Sequence, residues 1–115
     1  MIKQALMIST LLMVGGCAST SMPTNMASTA AAIRSAEEMG ANENPRAALH
    51  LQLAQEQSDR AKAIMEAGGD KEEASMLLAR SEADAELALA LARQESTRTE
   101  AKAAMERVKV LKQSN

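Results

Sequence analysis

Apolar residues recur along this chain at intervals of three and four, and the runs break at two glycine-containing turns. Met26, Ala30, Ile33 and Ala36 share one helical face, so a first helix is predicted over about 26–39, with Gly40 as its C-cap. Ala41-Asn42-Glu43-Asn44-Pro45 reads as a turn. Asn44 can cap the next helix, and Pro45 suits the first helical position, where its missing N–H would have no intrahelical partner anyway. A second helix follows over about 45–67. Ala47, Leu51, Ala54, Ser58, Ala61 and Met65 alternate steps of four and three, the spacing of a narrow helix–helix seam, with Leu49, Leu53 and Ile64 beside it. Gly68-Gly69 permits a sharp reversal.

The third helix starts at an Asp70-x-x-Glu73 capping box. Its stripe runs through Ala74, Leu78, Ala85, Ala88 and Ala92, weakens at the polar run Gln94 to Thr99, and resumes at Ala101, Ala104, Val108 and Leu111. Such a helix exceeds 40 residues, about 60 Å at 1.5 Å per residue. The first two helices are too short to cover it, so the part beyond about Ser96 is expected to project or to pack on another chain. The fold class that follows is all-α: a short antiparallel bundle of about three helices with a long, partly projecting C-terminal helix.

The chain before residue 26 has a different character. Lys3 is followed by an apolar stretch from Ala5 to Val14, then Gly15, Gly16 and the chain's one cysteine, Cys17. This is the tripartite pattern of a secretory signal, too short for a membrane span of roughly 20 residues. Val14-Gly15-Gly16-Cys17 resembles a bacterial lipobox. On that reading residues 1–16 are a signal peptide cut between Gly16 and Cys17, and Cys17 carries the lipid. Residues 17–25, small, polar and interrupted by Pro23, form a flexible tether, and 26–115 are the helical domain. The competing readings are an ordinary signal with an incidental cysteine, or a buried N-terminal helix. Ala18 stands where an Asp would resemble an inner-membrane retention signal, which favours the periplasmic face of the outer membrane.

Composition narrows the function classes. Loss of Lys3 would take the formal charge from −2 to −3. With no basic patch and 0% aromatics, nucleic-acid binding is not expected. The apolar supply is mostly alanine, which favours helix but buries little area. Long, closely approaching helices follow, and a roomy ligand pocket does not.

Candidate chemistry is sparse. His50 is the only histidine, and no His-x-x-x-His or Glu-x-x-His spacing accompanies it, so no metal site, cofactor or catalytic residue is assigned. Asp84 reads as a buried polar register residue or a partner of Arg80 four positions earlier. His50, Asp84, Leu87 and Leu91 are the candidate interaction or register positions.

The words Glu38-Met39-Gly40-Ala41, Asn44-Pro45, His50-Leu51, Leu53-Ala54, Ala67-Gly68-Gly69-Asp70 and Ala83-Asp84-Ala85-Glu86-Leu87-Ala88 resemble the bacterial family called domain of unknown function 4398. The likeness covers roughly Ala27 to Arg93. Many members carry an aromatic where Asn44 stands here. The resemblance implies a periplasmic helical lipoprotein domain, sometimes beside OmpA-like partners, and supplies no catalytic residues.

The expected function is therefore that of a non-enzymatic envelope lipoprotein, held to a membrane by its lipid and acting as a structural or adaptor protein through helix packing. Its partner would be another protein or a second copy, with no small-molecule substrate evident. The alternatives are a peptidoglycan-associated structural lipoprotein, weakened because Gln113-Ser114-Asn115 follows Lys112 at the end, and a periplasmic small-ligand binder. Cys17→Ser should abolish fatty-acid labelling and release the protein from the membrane fraction. Unchanged retention would remove the lipoprotein reading.

Overall fold

A computed structural model describes residues 22–114. Cys17, Gly16 and the first part of the expected tether lie outside the described residues. Three α-helices and one short turn of 3-10 helix follow in order: α1, Met22–Glu38; the turn, Ala41–Glu43; α2, Pro45–Glu66; and α3, Lys71–Gln113. No strand occurs among the described residues.

Local chemistry accounts for each boundary. α1 begins at Met22, so the last residues of the expected tether are helical. Pro23 does not prevent this, because it falls in the first turn, where no intrahelical N–H bond is lost. Gly40 ends α1 in the left-handed region, at φ 81°. Asn44 caps α2 as expected, its Oδ1 accepting from the amides of Arg46 at 2.9 Å and Ala47 at 3.2 Å. At the far end Gly68 is also left-handed, at φ 69°. The Gly69 amide donates to the Ile64 carbonyl at 2.8 Å and that of Gly68 to Met65 at 3.1 Å, the paired bonds of a Schellman stop. Asp70 Oδ1 accepts from the Glu72 and Glu73 amides at 2.8 and 3.4 Å. Glu73 does not turn back towards Asp70; its Oε1 accepts from Arg60 on α2 at 3.3 Å.

The helices form a hairpin-like bundle in which α2 runs antiparallel to α1 and α3. Both α1 and α2 pack on α3. Two apolar clusters lie at opposite ends. One joins Ala36, Ala41, Ala47, Leu51, Ala88 and Ala92, with Leu91 and the half-buried Ile33 and Leu89. The other joins Ala61, Ala74 and Leu78, backed by Met26, Ile64, Met65 and Leu77. Every α3 residue of the expected inner stripe, Ala74, Leu78, Ala85, Ala88 and Ala92, is buried. On α2, Ala47, Leu51, Ala54 and Ala61 are buried, while Ser58 and Met65 are half-buried.

Two buried residues do not stand out in an apolar pattern. Ser81 fills the gap in the stripe between Leu78 and Ala85, and its hydroxyl donates to the Ala54 carbonyl across the α2–α3 crossing at 2.6 Å. Thr29 donates to the Asn25 carbonyl at 2.7 Å and also reaches the Leu78 carbonyl on α3 at 3.4 Å. Side chains on one helix can reach the backbone of another only where the axes are close, which small residues allow.

α2, at 22 residues, covers α3 only as far as about Ala92. Every residue from Arg93 to Ser114 is exposed although the helix continues unbroken. The exposed part of α3 thus begins at Arg93 and includes the stretch expected to project beyond about Ser96.

Ala88 is 0% exposed within the larger cluster. Ala88→Glu should destabilise the fold by about 3 kcal/mol or more, because a charge would be buried without a partner. Urea denaturation checks this, with the exposed Ala31→Glu on α1 as a near-neutral control. An unchanged midpoint for Ala88→Glu would mean the seam is misplaced.

Candidate functional site

Between the two apolar clusters lies a polar layer. His50 and Gln57 stand seven residues apart on α2, two helical turns, and so share a face. Asp84 of α3 lies against both. His50 Nδ1 is 2.9 Å from Asp84 Oδ1, and Gln57 Nε2 donates to Asp84 Oδ2 at 2.9 Å. A carboxylate only accepts, so His50 is the donor through Nδ1. Both oxygens of one α3 side chain are thus held by donors one heptad apart on α2. A slide of α2 past α3 by one turn would break both bonds, which makes Asp84 a register residue.

The pairing with Arg80 does not form; Arg80 is exposed, one turn before Asp84 on α3. Arg80 and Asp84 are spaced for a surface pair, but Asp84 is turned towards α2, where its side chain is 23% exposed. Gln57 was not legible as a site residue. The available signal was its seven-residue offset from His50, which gains meaning only once Asp84 is placed opposite. Gln57 Oε1 is buried without a hydrogen-bond partner, a local cost of giving its amide to Asp84.

This arrangement suits structure better than chemistry. The buried hydroxyl of the same layer, Ser81, is directed at the Ala54 carbonyl. Among the described residues no group of three or more His, Cys, Asp or Glu side chains is placed to hold a metal ion. The remaining two candidate positions separate. Leu91 is buried in the larger cluster, whereas Leu87 points outward.

Leu87 belongs to a second stripe. Met76, Arg80, Ala83, Leu87, Ala90 and Gln94 each lie two residues beyond an inner-seam position, about 200° around the axis. The stripe continues at Thr97, Ala101, Ala104, Val108 and Leu111, still in steps of three and four. The apolar pattern of the projecting part is therefore not the inner stripe resumed after a polar break. It is the outer stripe, which runs almost the whole length of α3. All of these residues are exposed, with Met76 at 52%, Leu87 at 42%, Val108 at 51% and Leu111 at 63%. None of the described helices is long and apolar enough to cross a membrane.

Residues 24–104 match the model of the family described as Domain of unknown function (DUF4398). The match extends on both sides of the stretch that carries the sequence resemblance and takes in the first part of the projecting helix. No curated protein and no solved structure matches the chain.

Asp84→Ala should lower stability by about 1–3 kcal/mol, since His50 Nδ1 and Gln57 Nε2 lose their shared acceptor. Arg80→Ala should leave the unfolding midpoint nearly unchanged. A His50→Ala/Asp84→Ala double-mutant cycle should show coupling of at least about 0.5 kcal/mol; additive effects would dismiss the register role.

Proposed function

The chain belongs to the domain of unknown function 4398 family, and on that premise we propose that it is a non-enzymatic lipoprotein of the bacterial envelope. Its N-terminal lipid on Cys17 holds it to a membrane, on the periplasmic side of the outer membrane. It works as a structural or adaptor protein by presenting a helix to another protein. The observation that carries this reading is the exposed apolar stripe on α3. A helix continued beyond Ala92 with Ala104, Val108 and Leu111 outside any core is a surface for packing.

The division of labour is physical. The bundle formed by α1, α2 and the first half of α3 holds the start of α3. The lipid confines the protein to two dimensions, which raises its effective concentration near other envelope components. A single acyl chain anchors only marginally, and stable attachment takes two or more. Docking to α3 would be apolar at its centre and tuned by the charges alongside. His50 contributes through the bundle rather than through chemistry, so His50→Ala should leave the cellular phenotype intact.

Crosslinking in intact cells, followed by capture through a C-terminal tag, tests the reading with Cys17→Ser as control. A discrete crosslinked species should form, and it should fall sharply in Cys17→Ser and in Val108→Glu/Leu111→Glu. The second variant changes only exposed positions and should keep the parent's helical circular-dichroism signal. Capture that ignores both variants would overturn the docking role of α3, and full membrane retention of Cys17→Ser would overturn the anchor.

A further inference from the structure

The outer stripe of α3 has the spacing of a coiled-coil seam, and the charges beside it choose both an occupant and a direction. We infer that this face pairs with the same face of a second copy, antiparallel, with the two-fold axis between Glu95 and Ser96. The inference rests on the reading of α3 as a docking helix and names its occupant.

Along one flank of the seam the charges alternate at heptad intervals: Glu86, Arg93, Glu100 and Arg107, all exposed. In an antiparallel pair this flank faces its own copy. With the axis at Glu95–Ser96, Glu86 meets the partner's Arg107 and Arg93 meets the partner's Glu100. The two-fold symmetry repeats both pairs, so the flank is complementary throughout. Sliding by one heptad in either direction sets Arg against Arg and Glu against Glu. A parallel pair instead brings the flank against the opposite one. Arg93 would then face the partner's Arg98 and Arg107 the partner's Lys112, both repulsive.

The seam positions agree with the same register. Leu87 falls opposite the partner's Ala104 and Val108 opposite the partner's Ala83, large against small. Ala90 meets the partner's Ala101. Of the three polar positions, Gln94 and Thr97 meet each other near the axis, and Arg80 lies at the end of the overlap, opposite the partner's Leu111. The overlap runs from Arg80 to Leu111, about 48 Å. It explains why the outer stripe extends over the bundle half of α3, where Leu87 is exposed although a core lies directly behind it.

Cysteine pairing in the purified full chain tests this, with Cys17→Ser so that only introduced thiols react. Residues 90 and 101 of opposite copies are level in the antiparallel register, whereas two copies of residue 90 are about 16 Å apart along the axis. A mixture of Ala90→Cys and Ala101→Cys chains should form a disulfide-linked heterodimer, and neither variant alone should. Dimers of Ala90→Cys alone would mean a parallel pair and overturn the proposal. So would a mixture that does not crosslink; an α3-dependent crosslink to a different protein in cells would then leave the adaptor reading standing. Independently, Glu86→Arg/Glu100→Arg should weaken self-association by about tenfold or more. Adding Arg93→Glu and Arg107→Glu should restore it, and failure of that rescue would overturn the register.

Discussion

Close approach of alanine-lined helices is the constraint on which the rest of this structure depends. The chain has no Phe, Tyr or Trp, and among the described residues most of the fully buried ones are alanines. Alanine offers little area to bury, so contact has to come from short interaxial distance rather than from bulk. The bond from Ser81 to the Ala54 carbonyl at 2.6 Å is the direct sign of that distance. A larger residue at Ala54, Ala85 or Ala88 would push the helices apart and separate groups on either side that depend on the same spacing. The two glycine stops serve the same end, turning the chain tightly enough for neighbouring helices to lie alongside each other.

A core of small residues packs well but specifies register weakly, because one alanine fits a groove much as another does. The polar layer supplies what the alanines lack. Asp84 is held at both oxygens by His50 and Gln57, and Ser81 and Thr29 each reach the backbone of a neighbouring helix. These bonds are satisfied in one alignment of α1, α2 and α3 and broken in alignments a turn away. Buried polar groups used as register devices are best attested in coiled coils, and this bundle has the same need. The lone histidine, His50, is one of the two donors that hold Asp84 in this layer.

α3 then has two faces with two uses. Its inner seam is complete within the chain and ends near Ala92, where α2 runs out. Its outer seam has no cover among the described residues and extends past the bundle to Leu111. The apolar residues beyond Ser96 acquire a purpose only on that second face, together with Met76 and Leu87. A helix this long contributes stiffness along with surface: a partner docked at its far end, as proposed, would remain coupled to the bundle about 64 Å away at its start.

By itself the sequence determined the helices, their caps and most of the inner seam. These depend on neighbours within a few residues: Asn44 and Asp70 bond to amides two or three positions on, Gly40 and Gly68 take the left-handed turn, and the step of three and four is visible at each position. It also marked the family, through words spread over the two turns, α2 and α3. What only the tertiary structure decided were relations between distant segments. Asp84 could have turned to Arg80 on its own helix; the choice of His50 and Gln57, 34 and 27 residues away, was settled by how α2 lies against α3. The burial of Ser81 and Thr29 carries no signal in an apolar pattern and follows from a carbonyl of another helix within reach. The stripe at Ala101 to Leu111 looks like a continuation in a linear reading, and its place on the opposite face follows from counting around the axis against the residues that are buried. A helical period shows that a face exists, and only the packed neighbours show which face has been used.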